Sequence, residues 1–225
     1  MSKKAWIIFA AVCAVVLAGL VYFSNRNKLD VSGVDGAKVL SASEQSGNIA
    51  DHTYGKADSK VVFVEYGDFQ CPGCGAAYEP VKTITEKYKD KIAFVFRNFP
   101  LTSIHPNARA AAAAAESAGL QGKYWEMHDK LYENQNAWQS LDADKRAAYF
   151  EDLAKELDLN VDTFKEGLGK DTVLEKINFD LALGKAAGVS STPSFYLNGE
   201  KLDPYTDQQF DEAKVEKAIK EKLGE

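Results

Sequence analysis

The sequence predicts an α/β fold: a βαβ unit, a helical block and a closing ββα unit, with a membrane-spanning helix ahead of them. Three observations carry this. The runs Lys60 to Tyr66, Lys91 to Asn98 and Ser194 to Leu197 are rich in β-branched and aromatic residues and read as buried strands. Between the second and third of them, apolar residues recur at helical spacing over about eighty residues. Near the N-terminus, Ala5 to Phe23 is an uninterrupted uncharged stretch.

That stretch has the length of a bilayer core, since nineteen helical residues at about 1.5 Å each span roughly 28 Å. Trp6 and Tyr22 stand near its ends, where interfacial aromatics belong. Lys3 and Lys4 favour a cytoplasmic N-terminus, and Arg26 and Lys28 weaken the bias. The competing reading is a signal peptide cleaved after Ala18, which the apolar residues continuing to Phe23 disfavour. Cys13 follows Val12 rather than a small residue, against a lipoprotein site. Either reading puts the chain outside the cytoplasm. Residues 1–28 are therefore expected to be an anchor or signal sequence. Residues 29–54, polar and weakly patterned, are expected to be a tether with one short strand near Lys38-Val39-Leu40.

The strand at Lys60 to Tyr66 leads to a helix from Pro72 to about Tyr88, with Cys74, Ala77, Tyr78, Val81, Ile84 and Tyr88 on one face. Pro72 suits its first turn, where the missing N–H would have no partner. Lys91 to Asn98 completes a βαβ unit, which implies parallel pairing and a right-handed crossover. Helices are expected at Pro106 to Ala118, Lys123 to Asn134, Asp144 to Leu157, Asp162 to Leu168 and Asp171 to Ala187. Gly119 and Gly188 stand where C-terminal caps belong. Asn198-Gly199 signals a type I′ hairpin between Ser194–Leu197 and Glu200–Leu202. A charged helix from Gln208 to Leu223 closes the chain. Residues 55–103 and 188–225 would form one domain, with 104–187 inserted as a helical domain.

At 225 residues, 45% hydrophobic and 27% charged, the composition is that of a globular protein. The net charge of −6 excludes a broad basic face for nucleic acid. Besides Cys13, the cysteines are Cys71 and Cys74, separated by Pro72 and Gly73 at a helix start. Two thiols at that spacing can close a disulfide and reopen it. The helix N-terminus favours a thiolate on Cys71, and Cys74, one turn in, would resolve a mixed disulfide. A zinc site would need two further ligands, with only His52, His105 and His128 available. Glu65 shares a strand face with Phe63 and reads as a buried carboxylate, whose raised pKa would suit proton exchange. Asp68 and Gln70 border the site and are expected to shape access. His105 and His128 are expected to be structural.

The runs Glu65-Tyr-Gly-Asp-Phe-Gln-Cys-Pro-Gly-Cys74, Phe96-Arg-Asn-Phe-Pro-Leu101, His105-Pro-Asn-Ala108, Lys123-Tyr-Trp-Glu-Met-His-Asp-Lys-Leu131 and Gly188-Val-Ser-Ser-Thr-Pro-Ser-Phe195 carry a resemblance. From Gly55 to Leu223 the chain resembles the DsbA family, a thioredoxin fold with an inserted helical domain, and looks like its membrane-anchored BdbD-type members. The resemblance implies a thiol:disulfide oxidoreductase that introduces disulfides into exported proteins, with Cys71, Cys74 and Glu65 catalytic. It implies that Thr192-Pro193 is a cis-proline loop whose backbone pairs with substrate. No dissociable cofactor is implied beyond the redox-active disulfide. The implied partners are reduced exported proteins and a DsbB- or VKOR-like membrane reoxidase. Strongly oxidising relatives often carry histidine between the cysteines; Gly73 implies a milder oxidant. The rivals are a reductase or isomerase fed by a membrane electron donor, and a binding or chaperone-like module whose cysteines are idle.

Overall fold

The protein is described here by a computed structural model covering residues 3–26 and 29–225. It divides into two compact units, Met1–Asp30 and Val31–Glu225. In the first, Lys3–Arg26 is an α-helix, α1. Among the described residues no helix is long and apolar enough to cross a membrane, so the membrane-spanning expectation is not supported. The stretch on which it rests, Ala5 to Phe23, lies within α1, and several of its side chains lie outside the described ones.

The second unit is built on a five-stranded sheet of order β1-β3-β2-β4-β5. Its strands are Thr53–Gly55 (β1), Val62–Gly67 (β2), Ala93–Asn98 (β3), Ser194–Leu197 (β4) and Glu200–Leu202 (β5). β2 and β3 run parallel, joined by helix α2 at Pro72–Tyr88. β4 is antiparallel to β2, and β1 is antiparallel to β3. Every residue of β2, β3 and β4 is buried, because both faces of the sheet are covered. One face places Phe63, Phe94, Phe96 and Phe195 against α2 and the inserted helices; the other packs Val62, Val64, Val95 and Tyr196 on Phe179 and Leu183. By alternation Glu65 lies on the face of Phe63, opposite Phe96 on β3 and Phe195 on β4.

The inserted helices are α3 (Ala108–Gly119), α4 (Tyr124–Glu133), α5 (Gln135–Trp138), α6 (Ala143–Glu156), α7 (Val161–Leu168) and α8 (Asp171–Ala186). The alanine run of α3 is buried throughout Ala111–Ala115, and its small side chains admit neighbouring helices closely. Asn198 and Gly199 form the β4–β5 turn at φ 49° and 79°, and the Asn198 Oδ1 accepts from Val62 N at 2.7 Å.

Three expectations are corrected. No strand forms at Lys38 to Leu40. There the Lys38 carbonyl accepts from Arg97, and Leu40 N donates to Asp51, so side chains satisfy the backbone in place of a ladder. Residues 31–54 are not a loose tether, for Val31, Ser46 and Asp51 are buried in the second unit. The final helix, α9, is Glu212–Leu223 and starts later than Gln208. A two-residue hairpin, Tyr205–Thr206 (β6) with Gln209–Phe210 (β7), turns at the positive φ of Asp207 and Gln208, and Asp211 caps the helix through Lys214 N.

A buried ion network ties segment 31–54 to the core. Arg97 Nη2 lies 2.7 Å from Asp51 Oδ2, and Lys176 Nζ bridges Asp51 (3.0 Å) and Asp180 (2.6 Å). Asn98 links Asp180 to Glu116, which pairs with His52 at 2.8 Å. Burial pushes the Asp51 carboxyl up, but Lys176 and Arg97 outweigh it and hold it at about 2. Removing one charge leaves its partners buried and uncompensated. Asp51→Asn is expected to cost about 3 kcal/mol at neutral pH. A urea midpoint unmoved by the substitution would contradict this.

Candidate active site

Cys71 caps the N-terminus of α2 with extended backbone (φ −69°, ψ 123°), and Pro72 follows in the first turn. This aims free N–H groups of the helix at the Cys71 sulfur. Across from it the Thr192–Pro193 peptide is cis, and Cys71 Sγ lies 3.4 Å from the Thr192 carbonyl. Gly73 sits under this loop: a Cβ there would stand 3.3 Å from Pro193 Cδ and 3.7 Å from Cys71 Sγ. Any larger residue between the cysteines must push the loop back by a few tenths of an ångström.

Both sulfurs are free thiols, Cys71 at the surface edge with 8% exposure and Cys74 fully enclosed. The Cys71 thiol is lowered to about 5. The hydrogen bond from the Cys74 thiol is the largest cause, burial opposes it, and the Thr192 side chain and the Cys74 and Gly73 N–H groups add to it. The neutral Cys71 thiol donates to the Thr192 carbonyl. Once ionised it needs a donor instead, and the Thr192 hydroxyl, buried without a partner among the described residues, can supply one. Cys74 moves the other way. Burial raises it first, then its hydrogen bond to Cys71 and the charges of Glu65 and Cys71. Its sulfur accepts from Asp68 N at 3.4 Å. The two thiols thus have opposite roles: one is a stabilised thiolate, the other holds its proton.

Glu65 is 4% exposed, and its carboxyl is pushed up to about 8, by burial first and the Cys71 charge second. It can exchange a proton near neutrality.

The thioredoxin family model matches residues 47–220 of the chain. The chain belongs to the thioredoxin family. Its fold is similar to that of oxidised BdbD from Bacillus subtilis, with a TM-score of 0.67 over 84% of this chain and all of that one at 24% identity. The thiol-disulfide exchange protein alpha-DsbA2 from Wolbachia pipientis gives a TM-score of 0.64, covering 79% of this chain and 90% of that one at 21% identity. The catalytic domain of Proteus mirabilis ScsC gives 0.60 at 24% identity, with 78% and 90% covered. At these identities the likeness is one of fold. In sequence, the Na(+)/H(+) antiporter NhaA 1 of Salinispora arenicola is 40% identical over 151 residues, 67% of this chain and 22% of that protein. NhaA 1 of Mycolicibacterium vanbaalenii is 34% identical over 151 residues, covering 66% and 23%. The chain spans about a fifth of the length of these curated relatives, and the match lies in its thioredoxin-like part.

Within this thioredoxin-family site the structure brings Cys71, Cys74, Thr192 and Pro193 together, with Glu65 on the strand beneath. Asp68 and Gln70, expected to border the site and shape access, stand beside it as buried braces. Asp68 accepts from Gln70 N, Leu101 N and His105 Nδ1 at 2.7 to 2.8 Å, and Gln70 bonds Asn107 N and the Gln139 carbonyl. They pin the loop before Cys71 to the inserted helices. Gln135 was missed: its Nε2 donates to the carbonyls of Phe69 and Cys71 at 2.8 and 2.9 Å. A glutamine on a short helix far along the chain carries no pattern that would mark it.

Proposed function

We propose that this chain is an extracytoplasmic thiol:disulfide oxidoreductase that introduces disulfides into exported proteins through the Cys71–Cys74 pair. The observation that carries this is the placement of Cys71 at the start of α2, one turn before Cys74 and 3.4 Å from the Thr192 carbonyl, where its thiol is lowered. A stabilised thiolate favours the reduced enzyme, and so favours withdrawal of electrons from substrate. Substrate thiolate attacks Cys71 of the oxidised pair and Cys74 leaves. The second substrate thiolate then attacks the substrate sulfur of the mixed disulfide and Cys71 leaves, carrying the electron pair. The Thr192 backbone, just ahead of β4 and beside Cys71, would pair with an extended substrate strand. Reduced exported proteins would be substrates, and a DsbB- or VKOR-like membrane protein the reoxidant. The apolar run Ala5 to Phe23 supports export, whether it is kept as an anchor or cleaved.

Two measurements on the full chain test this. Titration of thiolate absorbance is expected to give a Cys71 midpoint at about 5, against about 8.5 for an ordinary thiol. Equilibration with glutathione buffers is expected to place the potential toward about −120 mV rather than about −270 mV. The lower value would reverse the direction and make the chain a reductase.

A further inference from the structure

The Cys71–Pro72 peptide has no N–H, so its carbonyl is its one handle for hydrogen bonding. Gly75 N holds that carbonyl from within α2 at 3.1 Å. A second hold comes from the inserted helices, where Gln135 Nε2 donates to it at 2.9 Å and to the Phe69 carbonyl at 2.8 Å. Carbonyls only accept, so the two of them use both protons of the amide and fix which end of it faces the loop. Gln135 is buried and opens α5, whose Trp138 is fully enclosed. Trp138 donates to the Leu131 carbonyl at 2.8 Å and packs edge-on against Phe150. The side chain that holds the loop thus stands on a fixed support.

The other end of the amide meets Gly75, in the first turn of α2. A Cβ on Gly75 would stand 2.5 Å from Gln135 Oε1, so only the absence of a side chain there lets the amide in. Gly75 does not have the positive φ that calls for glycine, and glycine weakens a helix relative to alanine. Backbone conformation therefore gives no reason for a glycine at this position, and the fit to Gln135 does.

The consequence is electrostatic. The ψ of Cys71, 123°, decides where the helix donors stand relative to its sulfur, and the Gly73 and Cys74 N–H groups favour the thiolate. A Cys71–Pro72 peptide free to rotate would carry those donors off the sulfur. Unpaired, the Phe69 and Cys71 carbonyls would also leave bare negative ends in a buried loop beside a sulfur that takes negative charge. In the disulfide Cys71 carries no charge, so the same two bonds matter less. The ionisable groups coupled to Cys71 are Cys74 on α2, Glu65 on β2 and Tyr205 on β6.

We propose that Gln135 is a positioning residue of the redox pair, holding the Cys71 carbonyl so that the start of α2 stabilises the Cys71 thiolate and shifts the pair toward its reduced form. The inference rests on the thiol–disulfide reading above. It gives the inserted helices a part in setting how strongly the pair oxidises, beyond covering the sheet.

The test equilibrates the full chain, with Cys13 replaced by Ser, against glutathione at pH 7. Two glutathione thiols pass two electrons and two protons to the Cys71–Cys74 disulfide and leave as glutathione disulfide. Gln135→Met keeps the length of the side chain and removes both donors. Its equilibrium constant is expected to fall about tenfold, which is about 30 mV in the reducing direction. The Cys71 midpoint in thiolate absorbance is expected to rise by about one unit, the same factor of ten. Gly75→Ala displaces the amide while giving α2 a better helix former, and is expected to move both readouts the same way. A brace without this role would cost the dithiol and disulfide forms equally, and neither readout would move. A fall of less than about threefold in Gln135→Met overturns the proposal; if that variant does not fold, the same limit applied to Gly75→Ala decides. A parent chain that fails to exchange with glutathione would defeat the functional reading instead. The thiolate titration needs no turnover and still tests Gln135, a midpoint unmoved by the substitution overturning its role.

Discussion

Cys71→Ala is expected to reduce thiol–disulfide exchange to the uncatalysed background, while Cys74→Ala keeps the first step and accumulates a mixed disulfide. The magnitudes show why Cys71 is indispensable and what its acidity is for. A thiol lowered from 9.0 to about 5 gains roughly a hundredfold in thiolate at pH 7. Nucleophilicity falls with pKa at a Brønsted slope of about 0.4–0.5, so four units forfeit roughly fortyfold to a hundredfold. As an attacking group Cys71 therefore gains little. As a leaving group it gains without that offset, because a less basic thiolate departs faster. Release of the oxidised product is then the step the site accelerates most, which fits an enzyme that oxidises its substrates. Incubation with glutathione disulfide followed by intact-mass measurement separates the cases. With Cys13 replaced by Ser throughout, the Cys71–Cys74 protein should return without an adduct, Cys74→Ala should hold one glutathione, and Cys71→Ala none. If Cys71→Ala retained more than about a tenth of the exchange rate, the buried Cys74 would have to be reactive, and the division of roles between the thiols would fail.

The ββα closure and the helix that presents Cys71 were legible because they rest on local signals. Alternation marks β2, spacings of three and four mark α2, and Asn198-Gly199 can hardly be anything but a tight turn. The side of the strand on which Glu65 falls was legible for the same reason, since parity with Phe63 fixes it. What escaped are the pairings across long stretches of chain. Asp51 meets Arg97 and Lys176 only after the sheet and α8 are assembled, so segment 31–54 read as a tether. Asp68 and Gln70 read as rim residues because their neighbours in sequence are the cysteines, yet their partners come from the inserted helices. The acidity of Cys71 was expected from the helix terminus, which any sequence with this spacing announces. The larger contribution, the Cys74 thiol, depends on rotamers, and that of Thr192 on a loop about 120 residues away.

Glu65→Gln is expected to stabilise the reduced protein by up to about 5 kcal/mol at pH 8 and to change it by less than about 1 kcal/mol at pH 4. The sign follows from proton counts. The folded carboxyl holds its proton until about pH 8, whereas the unfolded one releases it at about 4.5. Below pH 4.5 both states bind the proton and Glu65 is neutral in its effect. Between 4.5 and 8 the unfolded state binds fewer protons, so stability falls as pH rises. Above 8 both are ionised and the loss is constant. A rise from 4.5 to about 8 at 1.36 kcal/mol per unit gives the figure, as an upper value. Cys71 works in the opposite direction over a similar range, because its thiol is lowered on folding, and the stability it adds grows from about pH 5 upward. The wild-type profile alone would blur the two. The difference between wild type and Glu65→Gln in urea unfolding of the dithiol form, taken from pH 4 to 9, isolates the carboxyl. A difference that stays flat across that range would mean Glu65 ionises normally and is not the proton reservoir beside Cys74. A difference that grows with pH would show a fold carrying a destabilising acid at the one strand position beneath its redox pair. Packing gives no reason to keep a carboxyl between Phe96 and Phe195, and an apolar residue would serve the core better. Under the function proposed above, the reason lies in the proton that Cys74 gains and loses on every turn of the cycle.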